Sequence, residues 1–147
     1  MNTIVPLISS GVAGPLGVLH LPRFWLKVSL ESRGKLASGY PGCGKGYDQM
    51  TLDGIGIKKE AAIDYIKNNR PTYPQFEAWI KKQPGVKLDK GSIEKLNGAI
   101  RGYIHDDACR KGILSANGIP DDANAPRDAI NLNNLDDWKE FYDAELK

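Results

Sequence analysis

The segment GYPGCGKG, residues 39–46, contains the pattern with which phosphate-binding P-loops begin: a glycine, four residues, then Gly44 and Lys45. A P-loop needs serine or threonine directly after the lysine, because that hydroxyl binds the magnesium ion that accompanies the phosphates. The next residue here is Gly46. A P-loop also joins a buried strand to a helix, whereas the sequence predicts a helix before this segment and Pro41 interrupts it. The pattern therefore does not predict nucleotide hydrolysis.

Two interpretations of this Gly-rich loop remain. In the structural one it is a turn between helices whose glycines adopt positive φ angles. In the functional one, close backbone approach and Lys45 form a nest for a carboxylate or phosphate without magnesium. Gly44, Gly46, Tyr47 and Asp48 would then be the further ligand-binding residues.

A second candidate site lies in the segment HLPRFW, which places His20 and Arg23 at the start of a predicted helix. A helix N-terminus beside a guanidinium group is suited to binding an anion. Alternatively, Arg23 is an ordinary ion-paired residue and His20 a structural hydrogen-bonding group. If the Gly-rich loop folds back over this helix start, Arg23 and Lys45 face one pocket. His20 and Asp48 are then the candidates for acid–base chemistry.

The two cysteines and the second histidine suggest further chemistry. Cys43 is a candidate nucleophile if Lys45 lowers its pKa, although an isolated cysteine among glycines is equally consistent with a passive residue. His105 precedes Cys109 by four residues, so the two could share a metal ion on a helix, with Asp106 nearby. The chain has only two His and two Cys. Neither a resident metal nor a cofactor is expected.

Composition limits the classes of partner. The chain has 147 residues, with 20 Lys and Arg against 18 Asp and Glu, and the two signs are interspersed. Such a pattern predicts neither a nucleic-acid partner nor a membrane partner. The apolar N-terminal segment lacks a positive start and is interrupted by Gly and Pro, so we expect neither a signal peptide nor a membrane span. Cysteines in no framework pattern favour a reducing cytoplasm.

Helical periodicity dominates the chain, and no alternating strand pattern occurs. The predicted fold is all-α: a single small, irregular helical domain of about six helices over residues 1–147. Residues 1–20 are expected to form an extended arm and residues 117–133 a polar loop. The predicted helices lie in the segments 22–39, 58–69, 72–85, 89–105, 106–117 and 135–146, and the segment 47–57 could hold one or two helical turns.

Several local features accompany these helices. Thr72 and Gln75 have the spacing of a capping box. Gly118 is expected to end a helix in a left-handed cap, and Asn134 to begin the last one. Gly98 and Gly102, one turn apart, would allow a neighbouring helix to approach closely. An aromatic stripe is predicted to lie in the core; it consists of Phe76, Trp79, Tyr103, Trp138 and Tyr142.

Three segments in this order resemble a family of small bacterial proteins known only as a domain of unknown function: LPRFWLKVSLESRGKL, GYPGCGKGYDQMTLDGIGI and PTYPQFEAWI. The resemblance covers roughly residues 10–145 and implies a stand-alone bacterial cytosolic protein. It supplies no activity. The polar and glycine positions of its motifs are Arg23, Gly46, Tyr47 and Asp48, and a buried Arg23–Asp48 pair that fixes the loop to the first helix would explain them without any ligand.

Two functions from different classes follow. The first is a pocket between the first helix and the Gly-rich loop that binds an anionic small molecule, with modest acid–base chemistry as a further possibility. The second is a non-catalytic interaction protein whose apolar arm docks on a protein partner or on a second copy in a homodimer.

Overall fold

A computed structural model describes residues 2–147 and confirms the all-α prediction. Seven α-helices follow one another, and a π-helical segment, Tyr142–Leu146, continues the last of them. The predicted number was about six, and the short segment after the Gly-rich loop forms a full nine-residue helix. The helices are α1 Leu21–Ser32, α2 Tyr47–Ile55, α3 Lys59–Asn69, α4 Tyr73–Lys81, α5 Lys90–Gly102, α6 Asp107–Ala116 and α7 Ala129–Phe141.

Helix α1 begins where its proline predicts but ends seven residues before the predicted stop at Gly39. Gly34 adopts a φ of 67°, and the N–H of Lys35 returns to the carbonyl of Leu30 at 2.9 Å, which closes the helix. Because α1 ends before Lys35, Glu31 and Lys35 do not form a pair one turn apart on the helix. The Glu31 carboxylate instead accepts the backbone N–H of Gly42 at 2.8 Å and holds the Gly-rich loop against α1.

Residues 2–20 contain turns and isolated bridges but no helix. Ile4 exchanges backbone hydrogen bonds with the segment after α1, donating to Lys35 at 2.6 Å and accepting from Ala37 at 3.0 Å. Val5, Ser10 and the end of the arm are buried. The arm therefore lies on the helices instead of projecting from them.

The main core forms where α1 packs against α2, α3 and α4, and where α2 packs against α5. The close approach between α2 and α5 occurs at Gly54, where a Cβ atom would lie 2.7 Å from a methyl group of Leu96. The predicted approach at Gly98 and Gly102 is wrong, because no atom of a neighbouring element lies within 4 Å of a Cβ built there. A smaller apolar cluster around Leu114 and Leu132 joins α6 to α7.

Two predicted helix ends are confirmed. Thr72 and Gln75 form a reciprocal capping box at the start of α4. Gly118 has a φ of 65° just after α6. In contrast, α7 begins at Ala129 and not after Asn134, because the carboxylate of Asp128 accepts the N–H of Asn131 at 3.0 Å and caps the helix. The polar loop, predicted to extend to residue 133, therefore ends at Asp128.

The aromatic stripe divides between the core and the surface. Phe76 is fully buried and Trp79 packs against the core beside it. The core prediction is wrong for the other three: α7 buries Ala129, Leu132 and Asp137 instead of Trp138, Tyr142 lies beyond α7, and Tyr103 follows the end of α5. Their exposed fractions are 38% for Tyr103, 60% for Trp138 and 49% for Tyr142. Within residues 2–147 no helix is long and apolar enough to cross a bilayer.

Candidate functional site

A polar cleft of about 300 Å³ opens between the start of α1, the Gly-rich loop, the start of α2 and one side of α7. Arg23 and Lys45 line the same cleft, as expected if the Gly-rich loop folds back over the start of α1. The lining also includes five other residues singled out from the sequence: His20, Gly44, Gly46, Tyr47 and Asp48. Sequence reasoning missed Lys27, Tyr103 and Asp136 as cleft residues, and considered His105 as a metal ligand and as a base for Cys43 but not as part of this cleft.

Asp48, in the first turn of α2, is the centre of a buried hydrogen-bond network. One carboxylate oxygen accepts from Lys27 Nζ at 2.5 Å and from the N–H of Gly44 at 2.7 Å. The other is 2.6 Å from His20 Nε2. Burial opposes ionisation, but the hydrogen bonds from His20 and Lys27 and the positive charge of Lys27 outweigh it and lower the pKa of Asp48. Asp48 thus accepts from His20 at the start of α1 and from the Gly-rich loop, where the sequence predicts contacts with an external anion.

His20 links this network to the arm. Its backbone has a φ of 70°, an uncommon conformation for a residue other than glycine, and its side chain is buried. Nδ1 lies 2.9 Å from the hydroxyl of Ser10. Burial lowers the pKa of His20 despite the neighbouring Asp48. The ring is therefore neutral, donates from Nε2 to Asp48 and accepts from Ser10 at Nδ1.

The order Ser10, His20, Asp48 is that of an activated nucleophile, its base and an orienting carboxylate. However, Ser10 has no exposed surface, so a substrate cannot reach its oxygen. Both nitrogens of His20 and both oxygens of Asp48 are bonded within the protein. This arrangement favours a positioning role for the network over direct acid–base chemistry. Ser10 belongs to no motif, so no signal in the sequence identifies it.

Arg23 is also committed to protein partners. Its guanidinium forms a two-point ion pair with Asp137, at 2.6 and 3.1 Å, and donates to the carbonyls of Pro6 and Ile8 at 2.8 and 2.9 Å. The predicted structural alternative, a pair between Arg23 and Asp48, is therefore wrong in its partner. The residue Asp137 was missed because it lies 114 positions away in the chain.

Cys43 lies beside the cleft in the Gly-rich loop. Burial, followed by the charge of Asp48, raises the pKa of its thiol to about 11. The cations that oppose this shift, Lys59 and Lys27, do not outweigh it. A nucleophilic thiol requires a lowered pKa, so the raised pKa of Cys43 favours its interpretation as a passive residue.

Slow thiol modification is the expected consequence. In a Cys109→Ser variant, which leaves Cys43 as the single thiol, maleimide labelling near neutral pH should be at least about tenfold slower than in the same protein unfolded in guanidinium chloride. The reason is the small thiolate fraction and the half-buried sulfur. Equal rates in the folded and unfolded protein would contradict this assignment.

No group of three or more His, Cys, Asp or Glu side chains within residues 2–147 is arranged to hold a metal ion. His105 and Cys109 therefore do not belong to such a metal site. Its Nε2 lies 2.8 Å from the side-chain oxygen of Asn133 on α7, and the ring lines the cleft. Asp106 instead caps α6 by accepting the backbone N–H of Cys109 at 2.7 Å. Asp106 and Cys109 are therefore connected by a helix cap, and His105 faces the cleft.

No protein-family model matches this sequence, and a search of curated proteins finds no significant relative. The resemblance to a small bacterial family therefore stays a prediction.

Proposed function

We propose that this protein binds a small anionic molecule in the polar cleft and holds its negative group at Lys45. This proposal depends on which of the cations that line the cleft already have a protein partner. Arg23 is paired with Asp137 and Lys27 with Asp48, whereas Lys45 is exposed to solvent and forms no hydrogen bond or ion pair with any of residues 2–147. An anion would give this cation a partner beside the first backbone N–H groups of α2.

The paired residues support the proposal in a different way. The Asp48 network and the Arg23–Asp137 pair fix the loop, the arm and α7 around one space before any ligand arrives. Binding to a preformed cleft avoids the entropy loss of ordering its walls. Since His20 and Asp48 are fully paired, binding is better supported than catalysis. Bacterial origin and cytosolic location remain part of the proposal, through the resemblance alone.

Native mass spectrometry of protein purified gently from its own host tests this proposal. We expect a bound species heavier than the bare chain by the mass of a small metabolite. That species should be lost in Lys45→Gln and kept in Lys95→Gln, which makes the same chemical change at an exposed position of α5. A bare chain in every preparation, or a ligand retained equally by both variants, would count against binding at Lys45.

An interaction protein is the second candidate, and one surface favours it. A shallow groove of about 210 Å³ separates the arm from the end of α7, and its apolar lining includes Ile4, Leu7 and Phe141. Ile4 and Leu7 are 46% and 47% exposed, and Leu146 nearby in the chain is 63% exposed. Exposed apolar patches commonly mark contact surfaces. In the same spectra, a dimer or a bound protein that is lost in Leu7→Glu would support this function.

A further inference from the structure

The charged groups of the cleft leave one negative charge without a partner as well as one positive charge. Asp136 projects from α7 into the cleft and is half-buried. No group within residues 2–147 donates a hydrogen bond to it or forms an ion pair with it. Arg23 lines the same cleft, but its guanidinium is already bound to Asp137, the residue next to Asp136. The unmatched charges that line the cleft are therefore Lys45 and Asp136.

The environment of Asp136 is poorly matched to a carboxylate. Burial raises its pKa, and the negative charges of Asp137 and Glu140 raise it further, whereas Arg23 and His105 oppose the shift only partly. A partly desolvated carboxylate surrounded by other carboxylates gains free energy when a cation or a strong donor binds it. A purely anionic ligand would instead be repelled from this wall.

Aromatic rings line the cleft beside these charges. The rings of His20, Tyr47, Tyr103 and His105 form a continuous series, with centroids 5.3, 5.4 and 6.1 Å apart. The faces of tyrosine rings attract ammonium groups, and the attraction increases when the group is shielded from water. The Nε2 atom of His105 bonds Asn133, and its Nδ1 atom has no protein partner within residues 2–147. This side of the cleft therefore offers tyrosine rings and, at Nδ1 of His105, a hydrogen-bond acceptor to a positive group.

On the basis of the small-molecule function proposed above, we infer that the ligand is a small zwitterion, with one ammonium group at Asp136 and one carboxylate or phosphate group at Lys45. The class includes amino acids and amino phosphates. The size of the cleft agrees with a small ligand, because about 300 Å³ is at the lower end of the range for ligand pockets. A ligand with both charges neutralises Lys45 and Asp136 together, which a simple anion cannot do.

Binding measurements with matched probes test this inference. The probes are the common amino acids and phosphoethanolamine, each compared with its counterpart lacking the amine, such as phenylalanine with 3-phenylpropionate and phosphoethanolamine with ethyl phosphate. Calorimetric titrations would use the wild-type chain, Asp136→Asn and Asp64→Asn, the last being a matched control at an exposed position of α3. Thermal unfolding without ligand checks folding, and Asp136→Asn is expected to be at least as stable as wild type because it removes an unfavourable buried charge.

We expect at least one zwitterion to bind wild type and Asp64→Asn, and to bind Asp136→Asn about tenfold or more weakly. Its counterpart without the amine should change in the opposite direction and bind Asp136→Asn at least as tightly as wild type. If the amine-free probes bind wild type as tightly as the zwitterions, the inference fails while the anion site at Lys45 stands. If no probe of either kind binds and the protein from its host carries no ligand, both proposals fail.

Discussion

Replacing Asp48 with alanine is expected to lower the free energy of unfolding by about 3–5 kcal/mol. The change removes the partner of a buried lysine, Lys27, and leaves the donors of His20 and Gly44 unsatisfied. Removing one member of a buried ion pair is costly because the other charge stays desolvated. Denaturant unfolding followed by tryptophan fluorescence measures the effect.

Two comparisons make this prediction specific to the network. Asp53→Ala, on the exposed side of the same helix, should change stability by about 0.5 kcal/mol or less. The double variant Asp48→Leu with Lys27→Met should be more stable than Asp48→Ala, because no buried charge then lacks a partner. An effect of Asp48→Ala no larger than that of Asp53→Ala would show that the network contributes little.

The same network predicts the direction of a pH dependence. Because its partners lower the pKa of Asp48 in the folded state, the stabilisation is fully present above its ordinary value of 3.8. It is lost as the pH falls through the lower folded-state pKa. The difference in stability between wild type and Asp48→Ala should therefore be constant near neutral pH and decrease below pH 3.8. A constant difference throughout the acid range would contradict the lowered pKa.

Arg23→Met is expected to be similarly destabilising, by about 3–5 kcal/mol, and to loosen the arm. Methionine keeps most of the apolar stem but leaves Asp137 buried without its ion pair, and leaves the carbonyls of Pro6 and Ile8 without their donor. Denaturant unfolding measures the global effect. Hydrogen exchange at the amide of Ile4, which bonds the segment after α1, reports detachment of the arm.

Controls for this prediction use the same kind of substitution elsewhere. Arg33→Met, at an exposed position just after α1, should leave both measurements near wild type. Adding Asp137→Leu to Arg23→Met should recover part of the lost stability, as expected for two residues that act as a pair. Unchanged exchange at Ile4 in Arg23→Met would show that other contacts are sufficient to hold the arm.

Local features of the fold were predictable because their causes lie within a few residues. The capping box of Thr72 and Gln75 needs only their spacing of three, and Gly118 ends α6 because it adopts a positive φ at little cost. The start of α7 was misplaced because Asn134, the expected cap, and Asp128, six residues earlier, are both good capping residues. Only the packed structure distinguishes them.

The sequence by itself determined the helical class and most helix positions, since periodicity, capping and glycine conformation are short-range effects, and it identified some of the polar residues near the Gly-rich loop. The tertiary structure alone decided how those polar residues are paired. It brought Asp137 to Arg23 and Ser10 to His20, assigned Lys27 to Asp48, and left Lys45 and Asp136 without protein partners in one cleft. Charges on distant elements are paired by packing, because the desolvation that makes a partner necessary arises only when the elements assemble.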